Sequence, residues 1–414
     1  MPRGIVIAPV LNRVVQRAIL DTCQSRSERI RKHLGNLPAT IATETSVGGL
    51  PGKGVPEAIG LISCAIQSGA RWFVRSDIKD FFTRIPKDRI RTFLGENIAD
   101  PAFVELFMAA LATELENEAD VRDLIHLFPM GNLGVPQGSA LSALCANVIL
   151  TEFDQVLNGR GITTIRYLDD FLILGRDKRS VEKAWAQAVR LLSNLGMEAH
   201  DPTRGTGKAS WGHIEQGFQF LSFDITETKL APCRTARQDL LAKLRDIIKE
   251  AKRAIDDCEG EIRRAEHRFV QSLDLLDCTI RGWGDAFRAT NMRLVFSQLD
   301  KDIDELVENY LRWFKRRTMT VSRASRRRML GIALLSDTPL MGVQEPRLPI
   351  SDLKPLASDS EHAAIIVPPH GLQGAEKGGP SSPSAALPAT TALISALPHS
   401  AKGSRILSIR SDPD

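Results

Sequence analysis

The spacing of apolar positions along the chain predicts both strands and helices. Short β-branched runs at 162–167 and 171–174 flank two adjacent acids, a pattern that predicts a β-hairpin with Asp169-Asp170 at its turn. The apolar run 72–77 predicts a strand that ends at Asp77, and 209–225 predicts a second hairpin. These predicted strands are short. In the stretches between them, the apolar residues recur at a different spacing.

Apolar residues at helical spacing fill most of the remaining sequence up to residue 330. Before Pro232 they predict amphipathic helices in five stretches: 5–30, 57–67, 90–127, 140–157 and 181–195. Ser139 is placed to cap the N-terminus of the helix predicted over 140–157. After Pro232 long helices with one apolar and one basic face are expected. Such a mixture of strands and helices indicates an α+β protein.

The composition of the chain bears on the number of domains, the net charge and the structure of the C-terminal stretch. With 414 residues and 43% hydrophobic content, the chain can bury a large core and form more than one domain. Its 54 basic and 50 acidic residues give a net charge of +4, which permits a nucleic acid partner without requiring one. The stretch 331–414 is rich in Pro, Ala and Ser and has no sustained periodicity, so we expect a disordered tail.

Cysteines and apolar runs bear on location. Six cysteines are scattered without C-x-x-C spacing, and several lie in apolar helical patterns, so we interpret them as buried thiols in a reducing compartment. No run reaches the roughly 18 apolar residues of a membrane span. The N-terminus has no charged region followed by an apolar core. We therefore expect a cytoplasmic protein without a membrane partner.

The acids of the first hairpin are the leading candidates for chemistry. Adjacent carboxylates beside apolar strands repel each other and usually need a cation, which we take to be Mg²⁺. If the strand ending at Asp77 lies beside the hairpin, Asp77 and Asp169 face each other. Three carboxylates, Asp77, Asp169 and Asp170, could then hold two metal ions about 4 Å apart and support in-line phosphoryl transfer. Taken alone, the hairpin acids read equally well as two solvated turn residues.

Two glycine-containing loops are candidate nucleotide contacts. In the first, 48–56, glycines and a following helix would let backbone N–H groups approach a phosphate near Lys53. In the second, 134–139, Gln137 could approach a base pair closely. Each loop taken alone reads better as a plain turn, because neither has the spacing of a P-loop.

Four segments in order resemble the palm motifs of reverse transcriptases: SDIKDFF (76–82), GVPQGSALSALCANVIL (134–150), RYLDDFLIL (166–174) and QGFQFLSFDI (216–225). The similarity covers about 7–320 and is strongest to bacterial enzymes of the group II intron type. It implies a right-hand polymerase fold with fingers and palm over 1–232. The runs RGWGDAF and NYLRWFKRR resemble that family's thumb, which implies a helical thumb over 233–330.

The resemblance also implies roles for single residues. Asp77, Asp169 and Asp170 match the metal-binding acids, and Phe82 matches the aromatic that lies under the sugar and excludes a 2′-hydroxyl. The other implied contacts to the nucleotide or the nascent pair are at Lys53, Gln137, Tyr167 and Lys208. Lys208 matches a lysine that can protonate the departing pyrophosphate, and Lys53 stands where the family more often has Arg.

At four further residues the resemblance to the family is weaker. Arg13 and Gln16 match a pair on a helix near the template, although solvated surface residues are an equally good interpretation. Asn147 could assist Gln137. Ser222 stands where the family usually has glycine.

The implied function is an RNA-directed DNA polymerase that uses two Mg²⁺ ions, deoxynucleoside triphosphates, an RNA template and a DNA or RNA primer. A cognate structured RNA and a role in a retroelement or in antiviral defence are further expectations. Two alternatives stay open: an RNA-binding maturase-like or defence-complex component in which polymerisation is secondary, and an RNA-templated RNA polymerase. Phe82 argues against the latter, and the intact acid triad argues against a purely binding role.

Overall fold

A computed structural model of the chain describes residues 4–25, 27–35, 37–112, 125, 128–129, 131–159, 161–205, 207–256 and 268–338. The expected tail lies outside these residues from 339 onward, as does most of the stretch 113–127 in which a further helix was predicted. Domain boundaries at 232 and 330 stay predictions.

The central element is a four-stranded antiparallel sheet. Its strands, in the spatial order β2-β3-β1-β4, are β1 (Trp72–Asp77), β2 (Ile162–Tyr167), β3 (Asp170–Gly175) and β4 (Ser210–His213). The hairpin β2–β3 and the strand β1 are as predicted, and β1 pairs with β3 along its full length. Both faces of this sheet are covered, because Phe73 and Leu172 belong to one apolar cluster and Val74 and Phe171 to another.

Ten helices in the described part of the chain accompany this sheet. They are α1 (Val10–Cys23), α2 (Glu28–Leu34), α3 (Leu37–Ile41), α4 (Val55–Gln67), α5 (Phe81–Arg84), α6 (Lys87–Asn97), α7 (Pro101–Ala110), α8 (Ser142–Ile149), α9 (Thr151–Val156) and α10 (Lys178–Asn194). Helix α4 contributes apolar residues to one cluster, while α6 to α10 contribute to the other. The sheet is therefore held between helices, with the ends of β1 and the β2–β3 turn at one edge.

The second predicted hairpin is present only in the C-terminal half of its predicted range, where β5 pairs with β6. Strand β4 pairs with β1 in the central sheet, whereas β5 (Phe218–Phe220), β6 (Phe223–Ile225) and β7 (Leu230–Pro232) form a separate antiparallel sheet. A short 3₁₀ turn at Ile214–Gln216 and Gly217, whose φ is 75°, separate β4 from β5. This break lets the two strands enter different sheets.

Within the residues that the structure describes after β7, four helices follow: α11 (Arg234–Asp256), α12 (Phe269–Ala286), α13 (Arg293–Thr318) and α14 (Arg323–Leu330). Their apolar faces form a third cluster, in which Phe269 stacks on Phe314 at 3.7 Å between ring centroids. The hydroxyls of Ser272 and Tyr310 lie 2.8 Å apart within it. The expected helical region is present, and α14 adds a helix that the sequence did not predict.

Several local expectations need correction. The helix predicted over 140–157 is two helices that meet at Leu150, and α8 begins at Ser142 with Leu141 as its N-cap rather than Ser139. Gln16 is buried and donates a hydrogen bond from Nε2 to the Ala110 carbonyl at 3.0 Å, so it is neither solvated nor a free template contact.

The cysteines match expectation only in part. Cys23, Cys145 and Cys233 are buried free thiols, whereas Cys64 and Cys278 are exposed. Burial raises the pKa of the Cys23 thiol to about 12. Among the described helices, none combines the length and the apolar character needed to cross a bilayer.

Candidate active site

The three candidate acids meet where β1 ends and the hairpin turns. Asp77 and Asp170 are directly opposite each other in the β1–β3 register, and the Ile78 N–H donates to the Asp169 carbonyl at 3.1 Å. The turn consists of Leu168 and Asp169. The sequence had suggested that Asp170 is a turn residue as well, but Asp170 is the first residue of β3. The register brings all three carboxylates to one end of the sheet.

The turn that carries Asp169 has an unusual backbone. Leu168 has φ 57°, in the left-handed region that costs a leucine roughly 1–2 kcal/mol. Two-residue hairpin turns normally place glycine or asparagine in such positions. A non-glycine residue held there requires surrounding contacts that compensate for its strain, and strain of this kind clusters at functional sites.

The electrostatics of the acids show that they form one cluster. The pKa of Asp170 is raised from 3.8 to about 7, first by burial and then by the negative charges of Asp169 and Asp77. The Asp170 residue is exposed at the start of β3, and Asp77 lies opposite it in the register of the sheet. Arg75 and Lys208 oppose the shift. The site carries more negative charge than its own cations neutralise.

Asp77 has further neighbours. Lys208 Nζ lies 3.4 Å from Asp77 Oδ2, and His200 Nε2 lies 3.6 Å from Asp77 Oδ1. Oδ1 is buried and has no hydrogen-bond partner. Burial, the largest cause, and the nearby cations Lys208 and Lys79 lower the pKa of His200, against the charge of Asp77. A buried carboxylate oxygen without a donor is an atom that a cation would satisfy.

Arg75, two residues before Asp77, ties surrounding segments to the sheet. Its guanidinium donates to the Gln219 carbonyl at 2.9 Å and to the Gly207 carbonyl at 2.5 Å. The first contact reaches β5 of the second sheet, and the second reaches the loop that carries Lys208. Arg75 therefore places Lys208 beside the acids.

The acids fit Mg²⁺ by donor chemistry and charge. Carboxylate oxygens are the ligands that Mg²⁺ prefers, and proteins usually bind it through one or two carboxylates plus substrate phosphates and water rather than in a complete protein cage. In the described part of the chain, no three acidic, His or Cys side chains are arranged as a ready-made metal site. The orphaned Asp77 Oδ1 and the raised pKa of Asp170 are what a cation would relieve.

Phe82 and Gln137 lie on adjoining segments. Phe82 is half-buried on the short helix α5, and its carbonyl accepts a hydrogen bond from Val135 N at 2.7 Å. Val135 begins the turn that leads to Gln137, whose side chain is half-buried. The positive φ of Gly134 and its close approach to Thr83 require a residue without a Cβ, since a Cβ would lie 2.8 Å from the Thr83 carbonyl oxygen.

Tyr167 is opposite Asp170 in the hairpin and packs partly against the apolar cluster on its face of the sheet. Burial and then the charge of Asp170 raise the pKa of its phenol, so it stays protonated at neutral pH. Arg13 is exposed on α1.

Lys53 and Asn147 make internal contacts. Lys53 Nζ donates to the carbonyls of Thr43 at 2.6 Å and Ser46 at 3.2 Å, and burial lowers its pKa. Asn147 is completely buried; its Nδ2 donates to the Gly48 carbonyl, and its Oδ1 accepts from Ser46 and Arg166. Asn147 therefore does not reach a nascent base pair, because every one of these groups is inside the protein.

Sequence reasoning missed four residues around the acids: Arg75, His200, Arg166 and Asp154. One signal was readable for Arg166, since a charged residue directly before Tyr167 interrupts an otherwise apolar strand. His200 and Asp154 lie far from the motifs that they support, and no spacing pattern marks them.

Residues 1–202 match the family described as "Reverse transcriptase (RNA-dependent DNA polymerase)". Together with the acids at the edge of an antiparallel sheet, this match identifies a reverse transcriptase domain in the chain. It confirms the resemblance stated above and the right-hand polymerase fold class.

Particular relatives align over parts of the chain. The retron Mx65 reverse transcriptase of Myxococcus xanthus is 28% identical over 159 residues, which are 37% of this chain and 36% of that protein. Protein YkfC of Escherichia coli K12 is 26% identical over 257 residues, covering 53% of this chain and 62% of that protein. The chain thus spans less than two thirds of either relative.

Among solved structures, telomerase from Candida albicans in complex with a TWJ fragment of telomeric RNA aligns with 13% identity and a TM-score of 0.38. The alignment covers 73% of this chain and 55% of that one.

Proposed function

We propose that the protein is an RNA-directed DNA polymerase that adds deoxynucleotides to a primer 3′-hydroxyl on an RNA template. The observation that carries this proposal is the meeting of Asp77, Asp169 and Asp170 at one sheet edge within the reverse transcriptase domain. A cluster with this excess negative charge suits Mg²⁺ and the triphosphate that Mg²⁺ accompanies.

In this proposal the three acids hold two Mg²⁺ ions. When bound, the metal lowers the pKa of the attacking primer hydroxyl and neutralises charge that develops on the phosphates. Asp77 offers Oδ1, which accepts no hydrogen bond, and Asp170 gives up the proton that its raised pKa favours. Asp169, which lies in the turn, is the third proposed metal ligand.

Other side chains orient the substrate. Lys208, which Arg75 places beside Asp77, is the group we assign to proton donation at the departing pyrophosphate. Phe82 and Gln137 flank the nucleotide, with Phe82 excluding a 2′-hydroxyl, and Tyr167 packs beside Asp170. Lys53 supports the glycine-rich loop through its two internal hydrogen bonds and leaves phosphate contact to the backbone of that loop.

The helices α11 to α14 suit a thumb that contacts the template–primer duplex. Helix α11 exposes basic residues at Lys243, Arg245, Lys249 and Arg253, while Lys252 lies over the Trp313 ring at 5.2 Å. Helix α14 adds exposed Arg323, Arg326 and Arg327. Rows of exposed cations on two helices of this region favour contact with a phosphate backbone. A cognate structured RNA, a cytoplasmic location and a role in a retroelement or in antiviral defence complete the proposal.

Neutralising one metal-binding acid tests the proposal. Asp77→Asn and Asp169→Asn should each reduce Mg²⁺-dependent incorporation of deoxynucleotides on a primed RNA template to background, since each change removes a charged metal ligand. Circular dichroism should be unchanged, because the acids are a source of repulsion in the fold.

Asp177→Asn is the matched control. Asp177 is an exposed acid that caps α10 through Ser180, and asparagine caps helices equally well. Primer extension by this variant should equal that of the wild-type protein. Wild-type levels of extension by Asp77→Asn or Asp169→Asn would refute the polymerase assignment.

A further inference from the structure

Behind the catalytic turn lies a fully buried ion pair. Arg166 Nε and Nη2 donate to the two carboxylate oxygens of Asp154 at 2.7 and 2.6 Å, and both side chains have no exposed surface. Removing two charges from water is costly, and an apolar pair of the same volume often stabilises a core as well or better. The pair therefore needs a reason other than stability.

The guanidinium of Arg166 reaches beyond Asp154 to the turn. Its Nη1 donates to the Leu168 carbonyl at 3.0 Å, which lies in the peptide bond joining Leu168 to Asp169. Leu168 is the residue with φ 57°. Arg166 thus holds the strained peptide that sets the direction of Asp169.

The same guanidinium also holds the glycine-rich loop. Its Nη2 donates to Ser46 Oγ at 2.7 Å and to Asn147 Oδ1 at 2.9 Å, and Asn147 in turn donates to the Gly48 carbonyl at 3.0 Å. The main chain of Arg166 also pairs with the residues directly before this loop, because its carbonyl accepts from Val47 N at 3.0 Å.

The glycine-rich loop and the turn at Leu168 are in direct contact. A Cβ on Gly48 would lie 2.6 Å from the Leu168 amide nitrogen, so the two backbones touch. Lys53 extends the assembly by donating to the Ser46 carbonyl. A shift of either segment must therefore move the other.

We propose that Arg166, held in place by Asp154, is a positioning residue that fixes the metal-binding turn and the glycine-rich loop in one mutual arrangement. This inference rests on the proposed function of the site. Arg166 does not contact substrate; it acts through the Leu168 peptide on Asp169 and through Ser46 and Asn147 on the loop.

The planar fork of arginine is what this role requires. Five N–H donors in fixed geometry serve acceptors on four segments at once, at Asp154, Leu168, Ser46 and Asn147, whereas a lysine ammonium at this position is a point charge with three donors. Arg166→Lys keeps the charge opposite Asp154 and loses the simultaneous contacts to Leu168, Ser46 and Asn147. Ser46→Ala removes the contact of Arg166 to Ser46 Oγ and the hydrogen bond from Ser46 Oγ to Asn147 Oδ1, and it leaves the contact of Arg166 to the Leu168 carbonyl in place.

The experiment compares steady-state primer extension by the wild type, Arg166→Lys and Ser46→Ala, each well below its unfolding temperature. Arg166→Lys should lower kcat at least tenfold and raise the Mg²⁺ concentration for half-maximal rate, because Asp169 loses its fixed direction. Ser46→Ala should mainly raise KM for deoxynucleotides. Leu192→Ala, a buried change in α10 away from the turn, controls for lost stability and should keep the wild-type kcat and Mg²⁺ dependence.

Deuterium uptake separates failure of this inference from failure of the proposed function. Peptides that contain Val47 and Leu168 should exchange faster in Arg166→Lys than in the wild type or in Leu192→Ala. A wild-type protein without polymerase activity would refute the proposed function, and the exchange data would still decide whether Arg166 fixes the two segments. Unchanged exchange, or kinetics of Arg166→Lys within twofold of Leu192→Ala, would overturn the positioning role.

Discussion

Phe81 and Phe82 are neighbours in sequence but lie in different environments. Phe81 is 2% exposed and belongs to the core beneath the sheet, whereas Phe82 is half-buried beside the loop of Gln137. The two rings meet edge to face at 5.3 Å on the first turn of α5. On a strand that continued through these residues, the two rings would lie on opposite faces of the sheet; helix α5 separates them by a different geometry.

Sugar selection provides a prediction at the scale of a single residue. Phe82→Ala should relax selection against ribonucleotides about a hundredfold, or about 3 kcal/mol, because a packed ring rejects the 2′-hydroxyl by overlap. The measurement compares kcat/KM for deoxy- and ribonucleotides on an RNA template.

Phe81→Ala is the matched change. It should keep the selectivity and instead lower the free energy of unfolding by about 3–5 kcal/mol, the cost of truncating a buried aromatic. A wild-type protein that prefers ribonucleotides, or unchanged selectivity in Phe82→Ala, would contradict the assignment of Phe82.

The charge of Asp170 predicts a pH-dependent effect on stability. Its folded pKa of about 7 exceeds the ordinary 3.8, so ionisation disfavours the folded state. The penalty is absent below pH 3.8, grows between 3.8 and about 7, and is complete above that range. Asp170→Asn should therefore raise the unfolding temperature of the metal-free protein at pH 8, and the gain should shrink towards pH 5.

Thermal unfolding in EDTA at several pH values measures this gain. Asp177→Asn serves as the control, because hydrogen bonds from Ser180 lower the pKa of Asp177 and its ionised form is not penalised. No stabilisation by Asp170→Asn at pH 8, or the same gain at pH 5, would show that the cluster does not repel as described.

At the scale of elements, tight turns decide how the strands meet. The turn between β5 and β6 consists of Leu221 and Ser222, both with positive φ, at 46° and 66°. Positive φ at both central residues is the pattern of a type I′ turn, which favours Asn-Gly. Glycine, which the resemblance to reverse transcriptases leads us to expect at this position, would adopt the φ of Ser222 without strain.

Ser222→Gly should raise the free energy of unfolding by about 0.5–1 kcal/mol, since glycine adopts this φ without a Cβ penalty but loses more entropy on folding. The contact from Cys233 N to the Ser222 carbonyl involves main chain only and is retained. Chemical denaturation measures the change. A matched substitution, Ser193→Gly inside α10, should destabilise the protein by a similar amount, and stabilisation by both variants would contradict the turn argument.

At the scale of the whole molecule, the apolar clusters show how the chain is organised. Two clusters cover the faces of the central sheet, and the third lies among α11 to α14. Trp283 contacts both the second and the third cluster, so the C-terminal helices are anchored to the sheet by shared aromatic packing.

Truncation tests whether these clusters are complete. A chain that ends at Thr338 retains every residue of the three clusters, so it should unfold at the wild-type temperature and extend primers at the wild-type rate. Residues 339–414 add no periodic apolar face that could extend a core. Aggregation of the shortened chain, or a large loss of unfolding temperature, would place part of the core in the removed segment.

The sequence alone determined the elements and the chemistry of this protein. Local periodicity is set by neighbouring residues, so it predicted the hairpin β2–β3, strand β1 and the long helices. The order of motifs around Asp77 and Asp169 predicted the family, because the candidate acids lie within contiguous segments. The sequence did not predict how the strands within 209–225 are paired, because periodicity marks strands but does not say which sheet each strand joins.

Tertiary structure decided which residues support the acids. Asp154 is 12 residues from Arg166 and Ser46 is 120 residues away, yet all three meet behind one turn. Lys53 and Asn147 belong to motifs that predicted substrate contacts, and packing instead directed both side chains to internal carbonyls. Burial and partner choice depend on segments far apart in the chain, so no local pattern can encode them.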